Sequence, residues 1–231
     1  MLEKLKKRVC AENLRLKEYG LVVLTWGNVS ALSPDRKYVV IKPSGVSYAD
    51  MKPEDMTVVD MDGNIVEGSL RPSSDLPTHL ELYRSFPAAH GVVHTHSCYA
   101  TARAQAESEL KCYGTTHADY FHGAVPCTRL LTKDEIESDY EKNTGLVIVE
   151  TFAELGIDPE AVPAVLVAKH GPFTWGETPE KAAENALVLE ECCKTAFMTE
   201  LINNSFNPAP QYLLDKHYFR KRGPNAYYGQ K

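Results

Sequence analysis

The sequence predicts an α/β fold, a three-layer α/β/α sandwich around a central mixed, largely antiparallel sheet. Two patterns predict it. Apolar runs of strand length alternate with longer segments of helical periodicity along most of the chain. Several of those runs follow one another directly near the start, where a doubly wound parallel sheet would need intervening helices. Composition adds a third observation: 231 residues, 43% hydrophobic and 24% charged, suffice for a full core. No repeat, low-complexity run or long linker divides the chain, so one domain over 1–231 with a C-terminal tail is expected.

Residues 2–19 carry Leu2, Leu5, Val9, Leu14 and Leu16 among charges, which predicts an amphipathic helix. Gly20 then ends it as a left-handed cap. Residues 21–24, 38–41 and 57–61 read as strands, and Asp62-Gly63-Asn64 turns the last into a hairpin with 65–66. A helix over 78–86 closes at Pro87, and 91–96 reads as a strand. Ser97 is placed to cap a helix over 99–106. Residues 124–127 suit another short strand. Thr132 and Glu135 form a T-x-x-E capping box that opens a helix, and the helical pattern resumes over 143–155. A strand over 164–168 precedes a long helix over 179–202, with Pro179 in its first turn. Pro208 and Pro210 break the chain before a last helix over 211–222. The tail, 223–231, holds Tyr227 and Tyr228.

The formal net charge is −6, which argues against a nucleic-acid binder, since that needs a basic face. No apolar run approaches the ~18 residues of a membrane span, and the charged start is unlike a signal peptide. A cytoplasmic protein is expected. Cys10, Cys98, Cys112, Cys127, Cys192 and Cys193 form no CxxC pair and read as reduced thiols. A P-loop and a GxGxxG fingerprint are both absent, which removes the simple cases for a nucleotide or a nicotinamide cofactor.

The sharpest local signal is Val92-Val93-His94-Thr95-His96. Side chains alternate along a strand, so His94 and His96 share a face and offer a divalent-metal chelate. His170, just past the run 164–168, adds a third imidazole at a strand end. Asp75, in Pro72-Ser73-Ser74-Asp75, is the candidate fourth group, as ligand or acid/base. Lys42-Pro43-Ser44-Gly45 and Ser73-Ser74, together with Asn28, supply hydroxyls, backbone N–H groups, an amide and a charge suited to a phosphate.

These stretches occur in an order that resembles the class II aldolase/adducin family. They are Thr25-Trp26-Gly27-Asn28-Val29-Ser30, Ile41-Lys42-Pro43-Ser44-Gly45-Val46, Pro72-Ser73-Ser74-Asp75 and Val93-His94-Thr95-His96-Ser97. Gly114-Thr115-Thr116-His117-Ala118-Asp119-Tyr120-Phe121, His170-Gly171-Pro172-Phe173, Lys216-His217-Tyr218 and Asn225-Ala226-Tyr227-Tyr228-Gly229-Gln230 continue the series. The resemblance implies a class II aldolase-like fold in a cyclic homotetramer, with active sites between subunits. It implies Zn2+, or another divalent metal, on His94, His96 and His170 with Asp75 at the site. It places phosphate on Asn28, Lys42, Ser44, Gly45, Ser73 and Ser74. It makes Asp119 and Tyr228 the acid/base pair, with Tyr228 from a neighbouring chain. Thr116, Glu141, His217 and Arg220 fall at further substrate or interface contacts.

The implied activity is inversion of C4 in a phosphorylated pentulose, by breaking and remaking the C3–C4 bond, in arabinose or ascorbate breakdown. The alternative is a family aldolase that releases its products, where a Glu usually stands in place of Asp75. A metal-free, adducin-type binding head is disfavoured by the three histidines. Two positions depart from the family pattern: Leu76 where a Thr is common, and Lys169 before the third histidine. A strand would turn Lys169 away from His170, so it is expected outside the site.

Overall fold

Strand alternation divides the apolar residues of the chain between two helical layers. The computed structural model describes residues 2–224 and 226–228. Among them are seven strands: β1 (Asn28–Leu32), β2 (Tyr38–Ile41), β3 (Thr57–Asp60), β4 (Ile65–Glu67), β5 (Gly91–His94), β6 (Ala164–Val167) and β7 (Gly171–Gly176). Eight α-helices accompany them: α1 (Leu2–Glu18), α2 (Leu76–Ser85), α3 (Cys98–Gln105), α4 (Thr115–Ala118), α5 (Lys133–Glu137), α6 (Tyr140–Leu155), α7 (Pro179–Ile202) and α8 (Gln211–Phe219). None of the described helices is long and apolar enough to cross a membrane.

The strands form one sheet in the order β4-β3-β2-β1-β5-β7-β6, every neighbouring pair antiparallel. Parallel pairing among the described residues is confined to an isolated bridge between Cys127 and Leu166. Val39, Ile41, Val59, Val92, Phe173 and Trp175 face α2 and α6 in one buried cluster. The alternate strand residues Ala31, Val40 and Val58 pack on α1, while Val29 and Val93 meet Ala182 and Ala183 of α7. Each large apolar side chain among them contributes about 1.5–3 kcal/mol when fully buried. A one-residue slip would exchange the two faces, so the register is strongly specified.

The helix ends follow their local chemistry. After α1, Gly20 adopts φ 71°, its N–H bonds the Lys17 carbonyl, and Leu21 N–H bonds the Leu16 carbonyl. That is the Schellman pattern expected of a C′ glycine. Thr132 and Glu135 close their capping box at α5. Thr178 caps α7 by accepting from Lys181 N–H at 3.1 Å.

Several expectations are corrected. Residues 21–24 are a turn rather than a strand: Leu21 is buried, but Val23 and Leu24 are 58% and 73% exposed, and Leu24 has φ 55°. The chain must reverse there to enter β1. Residues 124–127 make only the bridges Leu110–Val125 and Cys127–Leu166. The strand at 91–96 stops at His94, and the last helix stops at Phe219. The central strand β1 and the strand β7 have no counterpart among the expected strands. All six cysteines are free. Asn225 and residues 229–231 of the tail motif lie outside the described residues.

Candidate active site

The antiparallel register of β1 on β5 sets Asn28 directly opposite His94. Both residues thereby face the α2 side of the sheet, at the end of β5 where the chain leaves it. Asn28 Nδ2 donates to Asp75 Oδ2 at 2.6 Å and to Ser73 Oγ at 3.0 Å. Asp75 is the N-cap position of α2. Beneath it, Ser30 Oγ joins His79 Nδ1 and the Tyr83 hydroxyl, each at 2.7 Å. Burial drives the His79 imidazole down to about 3, so it is neutral.

His94, His96 and His170 bring one ring nitrogen each within 4.8 Å of the others, the one such group among the described residues. His94 Nδ1 donates to the Pro172 carbonyl at 3.0 Å, which leaves Nε2 bare. The His94 ring stacks on Phe173 at 4.2 Å and 17°. Gly171 permits this close approach: a Cβ there would lie 2.8 Å from the Thr95 carbonyl oxygen and 3.6 Å from His94 Cε1. His96 sits beyond the strand, and its Nε2 lies 3.0 Å from His94 Nε2. Convergence of the two thus comes from the loop after β5, not from strand alternation. Glu190 of α7 secures that loop by accepting from Tyr99 and Ala100 N–H, both at 2.9 Å, at the start of α3. Burial first, and neighbouring imidazoles second, push His96 down and His170 down to about 3. Neutral imidazoles are the form that binds a metal. A tetrahedral zinc with bonds of ~2.0–2.1 Å places its nitrogens about 3.3 Å apart, close to the spacing of the His94 and His96 nitrogens. The residues fit a divalent cation.

Lys169 is exposed and turned away, its ammonium bonded to the Gln105 carbonyl and paired with Glu107, both at 2.7 Å. Its outward placement is as expected, although it lies in a turn at φ 61° rather than on a strand. Leu76 is 5% exposed and joins the core under α2. Asp75 is not one of the three converging groups. Burial works to raise its carboxyl, but His94, His79 and the Asn28 amide together hold it below the usual range.

Beside the histidines opens a cleft of about 550 Å³. Asn28, Lys42, Ser44, Gly45, Ser73 and Ser74 all line it, and so does Glu141. The two polar loops are held edge to edge, because Ser44 N–H bonds the Arg71 carbonyl and Ser73 N–H bonds the Lys42 carbonyl. Lys42 is 2% exposed, and among the described residues its ammonium meets only the Thr25 and Pro43 carbonyls at 3.3 Å and the Tyr48 ring at 5.0 Å. Burial lowers its pKa, with Asp75 pulling the other way. The first turns of α2 and α6 both open on the cleft, which adds two partial positive charges. An anion is favoured there despite the net charge of −6.

Sequence reasoning missed Tyr48 and Tyr140. Tyr48 donates to the Trp26 and Gly27 carbonyls at 2.9 Å and holds that loop over Lys42. Tyr140 lines the cleft at the start of α6. Neither carries a local motif that could have found it.

Asp119, His217, Arg220 and Tyr228 do not line this cleft. They form a second cluster where α4 meets α8. Arg220 clasps both Asp119 oxygens at 2.9 and 2.6 Å, His217 Nδ1 lies 3.1 Å from Oδ1, and Lys221 lies 3.3 Å from Oδ2. Burial works to raise the Asp119 carboxyl, but those three partners hold it below the usual range. Arg220 and Lys221 also lie 4.6 and 4.7 Å from the centre of the exposed Tyr228 ring. Thr116 is exposed on α4, beside a separate depression lined by Tyr113 and Cys192.

Residues 7–197 match the family model for the class II aldolase and adducin N-terminal domain. The chain belongs to the class II aldolase and adducin family. Among family members, it is 54% identical over 230 residues to "L-ribulose-5-phosphate 4-epimerase UlaF" of Salmonella paratyphi C, covering 100% of both chains. The protein of the same name from Salmonella typhi shows the same identity and coverage. Among solved structures, an L-fuculose 1-phosphate aldolase superposes with a TM-score of 0.77 at 23% identity, covering 93% of this chain and 94% of that one. The L-fuculose-1-phosphate aldolase of Thermus thermophilus gives a TM-score of 0.69 at 24% identity, covering 89% and 100%. At that identity the structures establish the class II aldolase fold.

Proposed function

We propose that the chain is a cytoplasmic, zinc-dependent epimerase that interconverts L-ribulose 5-phosphate and D-xylulose 5-phosphate. The observation that carries this reading is that one cleft is lined both by the three-histidine set and by the buried Lys42 with its Ser loops. Full-length identity of 54% to an epimerase of that name supports the choice of substrate.

The C4 hydrogen of such a sugar is not acidic, so inversion by simple deprotonation is implausible. Cleavage of C3–C4 avoids that difficulty, giving a three-carbon enediolate and glycolaldehyde phosphate. Zinc on His94, His96 and His170, with Asp75 beside it, would supply Lewis-acid polarisation of the C2 and C3 oxygens. The protein does the rest. Lys42, Asn28, Ser44, Gly45, Ser73 and Ser74 hold the phosphate, and the two helix N-termini add to that attraction. Holding the phosphate keeps the aldehyde fragment in place while its carbonyl turns over. Re-addition to the opposite face then gives the epimer.

One group must remove the C4 hydroxyl proton, and another must return a proton to the alkoxide on the new face. Asp119 and Tyr228 are assigned those roles. They lie in one cluster of one chain, away from that chain's own cleft, which supports a homotetramer whose active sites form between subunits. Docking then has to free one Asp119 oxygen from Arg220, His217 or Lys221. Thr116, His217 and Arg220 belong to the same docking unit, whereas Glu141 belongs to the cleft.

The test is an assay of L-ribulose 5-phosphate with and without chelator. D-xylulose 5-phosphate as the chelator-sensitive product is expected. Free glycolaldehyde phosphate in its place would make the chain a product-releasing aldolase.

A further inference from the structure

Two of the three imidazoles differ in how their second nitrogen is held. His94 Nδ1 meets a backbone carbonyl, an acceptor only, so that nitrogen carries the proton and Nε2 stays bare. His170 Nδ1 instead meets the Tyr140 hydroxyl at 3.3 Å, and a hydroxyl both donates and accepts. Among the described residues that hydroxyl is the one hydrogen-bond partner of the His170 ring. The ring's other close neighbours are aromatic: His94 at 4.7 Å, His96 at 5.2 Å and Phe173 at 6.0 Å. If Tyr140 donates, Nε2 holds the imidazole proton and cannot ligate. If Tyr140 accepts, Nδ1 holds the proton and Nε2 is open to a cation.

The backbone leaves this choice to Tyr140. His170 follows Lys169 in a turn pinned by two bonds, Lys169 N–H to the Ala104 carbonyl at 3.1 Å and His170 N–H to the Val167 carbonyl at 3.0 Å. Those bonds set where the ring starts and not which nitrogen is protonated. Tyr140 is fixed from the other side as the first residue of α6, whose body packs on α2.

We propose that Tyr140 is a positioning residue for the metal centre, accepting the His170 Nδ1 proton and so selecting the ligating tautomer. The proposal rests on the metal reading given above. A side effect is that the phenolic proton, no longer engaged by the ring, is available to an oxygen in the cleft that Tyr140 lines.

The experiment compares metal-stripped wild type with Tyr140→Phe, which keeps the ring and removes the hydroxyl. Zinc affinity is read by competition with a chromophoric chelator, and ligand geometry by the visible bands of the cobalt(II)-loaded protein. Loss of a partner that orients a ligating imidazole costs about 10–100-fold in metal affinity. The expected result is zinc binding weakened at least about tenfold and shifted cobalt bands, with unchanged thermal unfolding of the metal-free protein. Equal zinc affinity and superimposable cobalt spectra would overturn the role of Tyr140 and leave the metal site standing. A wild-type chain that takes up neither ion would instead remove the metal reading, and this proposal with it.

Discussion

The histidine cleft and the Asp119–Tyr228 cluster are built on different terms. The cleft is fastened to the sheet: Asn28 and His94 are register partners, Pro172 holds His94, and backbone bonds tie the two Ser loops together. Its polar groups still have capacity to spare, with a buried lysine that, among the described residues, meets only carbonyls and an aromatic ring. In the cluster, by contrast, Asp119 is saturated by Arg220, His217 and Lys221, while Tyr228 stays 60% exposed. The cleft is organised to receive a small ligand. The cluster neutralises its carboxylate internally and leaves its tyrosine ring exposed.

This contrast can be broken in steps. The largest effect is expected in the cleft. His170→Asn should abolish metal uptake and lower epimerase turnover by about 10³-fold or more, read by metal analysis and product assay. Asp119→Asn and Tyr228→Phe should each cost about 10²–10⁴-fold in turnover with metal content unchanged. Coexpressing His170→Asn with Asp119→Asn subunits should restore activity in the mixed oligomer. No restoration would mean that cleft and cluster act within one chain. Lys42→Met should raise KM for the sugar phosphate by about 10–100-fold, the worth of a charge-assisted bond, with a smaller effect on the chemical step.

The smallest effect concerns acid stability. His79 is neutral in the fold, near 3, so below the ordinary value of about 6.5 the unfolded chain takes the proton and the fold does not. That contribution is complete above about pH 6.5 and shrinks as pH falls toward 3. His79→Gln should therefore lose about 2 kcal/mol less than wild type in denaturant titrations between pH 6.5 and 5. The low Asp119 value acts in a different window. Its contribution holds above about pH 4 and disappears as pH falls through the folded value, so wild type, unlike Asp119→Asn, should lose stability from this group only as pH falls below about 4.

Elements with complete local signals are legible from sequence. The long helix α7 spans Pro179–Ile202 as expected, and Thr132 with Glu135 starts α5. The strand β1 is hidden because Asn28 and Ser30 read as loop residues. They are buried where Asp75 and Ser73 accept from the amide nitrogen, and His79 and Tyr83 bond the hydroxyl, partners more than forty residues away. The apolar run at 21–24 misleads because an apolar stretch next to a helix cap can be consumed by the reversal that follows. In the cleft, residue types and motif order bring out the histidines, Lys42 and the Ser loops, but not Tyr48 or Tyr140, which carry no local motif. The separation of Asp119 from the histidines does not show, because it depends on where α8 packs, about a hundred residues further along the chain.

The pairing of Asn28 with His94 also has a consequence in time. It is the seam between the strands β1 to β4, which follow one another closely, and the half of the sheet made from β5 to β7. Contacts between distant segments form late in folding, because the loop entropy is lost before they are rewarded. The three histidines lie on one side of that seam, in the β5–β7 half, where pairing of β5 with β7 brings His94 beside the His170 turn. During refolding, capacity to capture a metal ion should lag behind helix formation and report the pairing of β5 with β7.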